Sequence, residues 1–319
     1  MPIVEATEEN IAKAAELIRS GNLVAFATET VYGLGANALD AQACEKIFHA
    51  KKRPHYDPLI VHIHNLEQLD SIVEDFPEKA QLAAQEFWPG PLTMVLTKKP
   101  SIPDLITSNL STVAVRIPAH PVARALLIKS NLPIAAPSAN PFGYLSPTKA
   151  IHVEQQLGES VPMILNGGDC EWGVESTIID FTRSDAILLR HGGIPLEEIE
   201  KICGPIKLGK SALEKPLAPG QLPSHYSPRT PLTILKNDDS PDFSLKFGFL
   251  GHSSSDFDCK CEYIERVSSS NNLKEAAHNL FSALHKLDKL NLEMIYVYEF
   301  SEQGLGAAIM DRLRKAAAK

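Results

Sequence analysis

The chain reads as an α/β protein in two parts. Two observations carry this: short β-branched and apolar runs recur with helical stretches between them, and a proline-rich interval from Pro205 to Pro231 interrupts every period. A length of 319 residues supports the division, because single cores stop growing near ~250 to 300 residues. With hydrophobic residues at 44% and charged residues at 22%, the composition excludes collagen-like, coiled-coil and disordered classes.

Thr7 is expected to cap a first helix whose apolar positions Ile11, Ala14, Leu17 and Ile18 share one face, with Gly21 just past its end. A strand follows at 23–26. Asp40 is placed to cap the next helix, which turns Cys44, Ile47 and Phe48 inward and is stopped by Pro54. That leaves Lys51 to Arg53 at a helix C-terminus. Further strands are predicted at 59–63, 92–97, 112–117, 134–136, 163–166, 177–180 and 187–189. Pro216, Pro219, Pro223 and Pro228 leave no room for a helix or a central strand, so 205–231 is read as a linker between domains 1–204 and 232–319. Strand-like runs at 232–235, 247–250 and 294–300, with helical patterns at 273–287 and 305–317, predict a small second α/β domain with a mostly parallel sheet.

A net charge of −8 argues against a protein that grips long nucleic acid through its phosphates, so any contact with RNA is expected to be local. The opening MPIVEATEEN has neither a basic nor an apolar signal region, and no run reaches the ~18 apolar residues of a membrane helix. The chain is therefore read as cytoplasmic, with no membrane partner. Five cysteines without paired spacing predict reduced thiols, and the close pair Cys259 and Cys261 lacks the second pair a zinc site needs.

Several segments carry residue types suited to chemistry. TETVYGLGAN (28–37) leaves a strand with two hydroxyl residues and two glycines, as a loop approaching a small ligand would. Lys51, Lys52 and Arg53 form the densest basic cluster, which suits a polyphosphate and equally suits the negative end of a helix dipole. On a strand-like run, His62 alone reads as a core histidine. Arg116 interrupts the apolar run TVAVRI and needs an anion, for which a substrate carboxylate is preferred over a protein one. Near AAPSAN (135–140) and SPT (146–148), hydroxyls and helix N-terminal amides could cradle phosphates, with simple capping as the alternative. GPIKLGKS (204–211) spells the phosphate-loop pattern but follows a helix-like stretch and runs into the linker, so the match is read as accidental.

In their order and wording these segments resemble the YrdC family, specifically the two-domain form of threonylcarbamoyl-AMP synthase. The strings are TETVYGLGANA (28–38), AKKRP (50–54), PLIVHI (58–63), WPGPLTMVL (88–96), TVAVRIPAHP (112–121), PIAAPSAN (133–140), SPTKA (146–150), GVESTIID (173–180) and LLRHGGI (188–194). APGQLPSHYSP (218–228) and GLGAAIMDRLRKAA (304–317) extend the resemblance into the linker and second domain.

The resemblance implies a YrdC-like twisted mixed sheet with helices, followed by a smaller Rossmann-like α/β domain. It implies that L-threonine and bicarbonate form a carbamate whose oxygen attacks the α-phosphate of ATP and releases pyrophosphate, the first step of threonylcarbamoyladenosine modification of tRNA. Lys51 and Arg53 would be catalytic. Arg53, Asp57, Thr112, Ser138, Asn140, Ser146 and Arg190 would hold ATP. Thr30, His62, Arg116, Ala136 and Ser176 would hold threonine, with Arg116 on the carboxylate. Magnesium would arrive mainly on the ATP phosphates, with no metal site of the protein's own.

By the same resemblance the linker folds over the pocket, with His225 and Tyr226 in the gate, although Pro223 stands where some relatives have a nucleotide-side tyrosine. Expected partners are a downstream tRNA threonylcarbamoyl transfer complex and weakly bound tRNA. Two rival readings are a hydrogenase-maturation type of carbamoyl-adenylate former and a tRNA or double-stranded-RNA binding module without chemistry of its own.

Overall fold

The structure is a computed structural model and describes residues 3–209, 216–236, 239–252 and 261–318. Cys259, Lys210 and Ser211 lie outside the described residues, so the Cys259–Cys261 pair and the end of the phosphate-loop look-alike have no structural account.

The first part contains β1 (Ile3–Glu5), α1 (Glu8–Arg19), β2 (Val24–Phe26), β3 (Gly33–Asn37), α2 (Ala41–Lys51), β4 (Ile60–His62), α3 (Leu66–Asp70), α4 (Glu78–Phe87), β5 (Leu92–Thr97) and β6 (Thr112–Arg116). It continues with α5 (Pro121–Ser130), β7 (Ile134–Ala135), α6 (Ala150–Leu157), β8 (Ile164–Asn166), β9 (Thr177–Asp180), β10 (Ile187–Arg190), α7 (Leu196–Cys203) and β11 (Lys207–Leu208). These strands join in the order β1-β8-β2-β3-β7-β4-β6-β5-β9-β10-β11, a mixed sheet. Parallel β4 and β6 sit between antiparallel neighbours β7 and β5, so the sheet has the mixed character that the resemblance implies.

Local chemistry explains the ends that position the site. Thr7 Oγ1 accepts from Asn10 N at 3.3 Å and opens α1, and Asp40 Oδ1 caps α2 through Gln42 N and Ala43 N. The second helix stops at Lys51, three residues before Pro54, because Lys52 turns left-handed at φ 52° and serves as its C-cap. Lys51 is thereby turned inward, 1% exposed, while Lys52 points out.

Two expectations need correction. The glycine-rich stretch at 33–37 is a buried strand, β3, pairing with β2 and β7, because its small residues let it fit against Phe26. The interval from 205 is not all linker: Lys207 and Leu208 add an edge strand to β10, the position in a sheet that tolerates so short a segment.

The second part contains β12 (Leu232–Leu235), β13 (Phe247–Gly251), β14 (Tyr263–Arg266), α8 (Leu273–Asp288), β15 (Met294–Tyr298) and α9 (Leu305–Ala317). Its strands run β12-β15-β13-β14, with every described pair parallel. The core under this sheet is shared: Val31, Leu145 and Val174 from the first part and Tyr226 from the linker pack in one cluster with Leu280, Phe281, Leu284 and Leu313. At Gly173, with φ +70°, a Cβ would lie 2.3 Å from the His278 carbonyl oxygen of α8, so only glycine allows this approach. Among the described residues no helix is long and apolar enough to cross a membrane.

Candidate active site

A cleft opens beside the β4, β6 and β7 strands. Its walls include Thr28, Thr30, Arg53, Ile60, His62, Arg116, Ala136, Ser138, Glu175, Ser176 and Arg190, and the linker closes it with Pro219, Gly220, His225 and Tyr226. The sheet explains the convergence. Parallel pairing sets His62 beside Arg116, and antiparallel pairing sets Ile134 across from His62, so Ala136 arrives at the same edge.

Three guanidiniums line the cleft, each anchored by carbonyls. Arg53 donates from Nε to Asp57 O at 2.9 Å and from Nη2 to Pro58 O at 2.7 Å, and it pairs with Asp57 Oδ2 at 2.8 Å. Arg190 donates from Nε to Ser176 O and from Nη2 to Ser176 O and Oγ, while Nη1 reaches Pro219 O of the linker at 3.0 Å. Arg116 donates to Gly90 O at 3.1 Å, to Thr30 Oγ1 at 2.9 Å and to Glu29 Oε1 at 2.5 Å. Anchoring of this kind fixes the forks without consuming all five donors of each.

The anion that Arg116 needs is thus supplied in part by the protein itself, through Glu29, contrary to the preference for a substrate carboxylate alone. Burial raises the Glu29 carboxyl, yet the Arg116 guanidinium outweighs it and holds the group below the usual carboxylate range. His62, buried beside Arg116, is pushed down to about 3 and is uncharged at neutral pH, with Nδ1 lacking a partner.

Other predicted residues sit as follows. Lys51 does not line the cleft. Its ammonium lies beneath it, donating to Ser138 O at 2.6 Å and to Asn140 O, and burial with Arg53 alongside brings it well below the ordinary lysine value. Asn140 donates to Pro141 O and Tyr144 O and leaves Oδ1 buried without a partner. Ser146 donates to Glu175 Oε1, and Ser176 Oγ bonds Thr93 Oγ1 at 2.7 Å. Ala136 already donates its amide to Ile60 O. Asp57, Thr112, Asn140 and Ser146 are outside the cleft lining: Asp57 is fully buried under Arg53, Asn140 and Ser146 are buried, and Thr112 starts β6 two residues before Ala114, the partner of Ile60. Pro223 faces a separate groove behind the linker, together with Leu189, Asp311 and Arg314.

Sequence reasoning missed Glu29, Glu175 and Arg312. Each had a signal, since buried arginines at 116 and 190 call for carboxylates nearby, and Glu29 and Glu175 stand inside the quoted strings. Arg312 falls four residues after Ala308 and three after Ile309, on the apolar stripe of α9 where a charge needs a partner.

His225 and Tyr226 are 6% and 1% exposed, and Tyr226 holds φ +61°, a conformation that costs a bulky residue about 1 to 2 kcal/mol. At Gly220, φ +82°, a Cβ would lie 2.4 Å from Tyr226 Oη, so glycine is required for the linker to fold this closely on itself. Tyr226 Oη and His225 Nδ1 have no hydrogen-bond partner. Burial and the neighbouring Arg53, Lys51, Lys315 and Arg190 carry His225 well below 6.5.

A base depressed in the closed state favours closure above 6.5, and that preference is lost as pH falls, because the open linker takes up the proton first. Hydrogen exchange of the linker amides, corrected for its intrinsic pH dependence, is expected to speed up from pH 8 to pH 5.5 in the native chain. In His225→Gln the same profile should be flat; identical profiles in both would contradict the electrostatic account.

Comparison with known proteins places this architecture. Residues 16–192 match the family model described as Telomere recombination, and residues 194–318 match that of the threonylcarbamoyl-AMP synthase C-terminal domain. The threonylcarbamoyl-AMP synthase of Pyrococcus abyssi is 44% identical over 97% of this chain and 94% of its own, and that of Bacillus subtilis is 41% identical over 98% and 94%. A crystal structure of P. abyssi Sua5 complexed with L-threonine superposes with a TM-score of 0.91 at 42% identity, covering 98% of this chain and 95% of that one. E. coli YciO, at 23% identity and a TM-score of 0.52 over 58% of this chain and 90% of its own, shares the fold of the first part. Fold and site define a nucleotidyl-transferring enzyme built on the YrdC type of sheet. The chain belongs to the threonylcarbamoyl-AMP synthase family.

Proposed function

We propose that the cleft joins L-threonine, bicarbonate and ATP into threonylcarbamoyl-AMP, with release of pyrophosphate. The supporting observation is the convergence of Arg53, Arg116 and Arg190 on one closed cleft whose lining also leaves His62 Nδ1, His225 Nδ1 and Tyr226 Oη without protein partners. Buried polar atoms are rarely left unpaired, and a polar, anionic ligand pair would satisfy both the charge and these atoms.

In this reading Arg116, steadied by Glu29 and Thr30, takes the amino acid carboxylate. His62, neutral, and Ser176 border the same end. Threonine's amine and bicarbonate give a carbamate and water; the carbamate oxygen forms a bond to the α-phosphorus as the bond to the pyrophosphate oxygen breaks. Arg53 and Arg190, with Lys51 beneath and Ser138 and Asn140 above it, stabilise charge on the leaving pyrophosphate. No covalent intermediate with the protein is required, so positioning carries the chemistry. The linker must move from Arg190 to admit ATP and return to exclude water from the adenylate.

Magnesium is assigned to the ATP phosphates, whose charge it would neutralise. Asn140 Oδ1, a buried oxygen without a partner, is the hard ligand type such a phosphate-borne cation takes. The adenylate is a reactive, hydrolysable product, which supports its transfer to a tRNA-modifying complex; weak local contact with tRNA belongs to the same proposal.

The test is pyrophosphate release measured with each substrate omitted in turn. Release is expected only when ATP, L-threonine and bicarbonate are all present, and release indifferent to threonine rejects the proposal.

A further inference from the structure

The largest fully buried side chain, Arg312, belongs to the second part of the chain. From α9 it reaches into the first: Nε donates to Glu175 Oε2 at 2.7 Å and Nη2 to His191 O at 2.9 Å. The guanidinium carbon also lies 4.8 Å from the centre of the Tyr226 ring, within cation–π range. Nη1 pairs with Asp311, which in turn holds Lys315 at 2.7 Å, and Lys315 Nζ donates to Gly220 O of the linker. Glu175 and Tyr226 line the active cleft, whereas Arg312 stands behind them and does not.

The placement is electrostatically pointed. A carboxylate in the wall of a pocket for a triphosphate repels the ligand unless a cation neutralises it. Glu175 is 5% exposed and faces Arg312 of α9, Arg190 of β10, Ser146 before α6 and Tyr226 of the linker, with Asp311 on the far side of Arg312. Arg190 is the one of these cations that also lines the cleft; Arg312 does not.

We propose that Arg312 is a positioning residue through which the C-terminal domain completes the nucleotide pocket, by neutralising Glu175 and clamping Tyr226 of the linker. The inference rests on the function proposed above. The second domain is then part of the active site's electrostatics, and undocking α9 exposes a repelling carboxylate and releases the gate together.

The test begins with the native enzyme: without threonine-dependent pyrophosphate release there, the functional reading fails and this one is not reached. Given that activity, Arg312→Met is expected to raise the KM for ATP at pH 8 by about tenfold or more, with the KM for threonine changing much less. The rise should shrink from pH 8 to pH 6, because Glu175 without Arg312 is protonated more readily as the pH falls. Arg312→Lys, which keeps the charge, should give a smaller and pH-independent rise.

In Arg312→Met/Glu175→Gln the ATP KM should return to within about threefold of the native value at both pH values. Should Arg312→Met fail to fold, the Lys variant and the charge-balanced double variant decide. An ATP KM unchanged in Arg312→Met, equal loss for both substrates at every pH, or a double variant as poor as the single one overturns the proposal.

Discussion

Arg116→Met is expected to raise the KM for threonine by ~100-fold or more while ATP binding changes little, since the variant removes the fork that takes the carboxylate. The same change strips Glu29 of its partner. A buried carboxylate left unpaired costs about 3 to 5 kcal/mol, so Arg116→Met should also melt earlier. Both effects come from one ion pair at 2.5 Å with each side chain 4% exposed, and a second substitution separates them. Arg116→Met/Glu29→Gln should regain most of the stability and none of the threonine affinity. Threonine saturation of the stability-restored double variant, not of the single variant alone, is the readout; a native KM in the double variant would remove Arg116 from the site.

Lys51→Met should lower pyrophosphate release by ~10²- to 10³-fold, the range found when one preorganised donor to a developing oxyanion is removed. Stability should move little. Two hydrogen bonds, to Ser138 O and Asn140 O, are lost, but so is a buried ammonium, and these act in opposite directions.

Lys51 also predicts a proton count. Burial and then Arg53 depress it well below its ordinary value, and an arriving triphosphate restores a counter-charge, so ATP binding draws in a proton as the pH rises through that depressed value. Calorimetric titration in buffers of different ionisation heat is expected to detect that uptake in the native protein and not in Lys51→Met. Activity and proton uptake both unchanged would show that the ammonium has only a structural part.

Much of this was legible beforehand because the elements obey local rules. Thr7 and Asp40 cap the helices their positions suggest, and β5, β9 and β12 have the predicted limits, since a run of β-branched residues has little else to become. What the residues hid was set by distant partners. A glycine-rich run became β3 because strands 2 and 7 closed on it, which no local preference reports.

The site followed the same division. Arg116 was visible as a cation in an apolar run, Arg53 within the densest basic cluster and Arg190 through the resemblance; Arg53 is anchored locally on Asp57 and Pro58, but the anchors of Arg116 and Arg190 come from other segments. Glu29 answers Arg116 across 87 residues and Arg312 answers Glu175 across 137, separations at which sequence gives no pairing. Thr112 and Asp57 were placed by resemblance alone, and the closed cleft includes neither them nor Asn140 and Ser146 in its lining.

The central claim is that one cleft takes an amino acid and a triphosphate side by side. A crystal structure of the protein with L-threonine and a non-hydrolysable ATP analogue tests it most directly. The account predicts the threonine carboxylate on Arg116 and the phosphates among Arg53, Ser138, Asn140 and Arg190, with the linker displaced from Arg190. Either ligand bound elsewhere, for instance in the groove between β10 and α9, would contradict it.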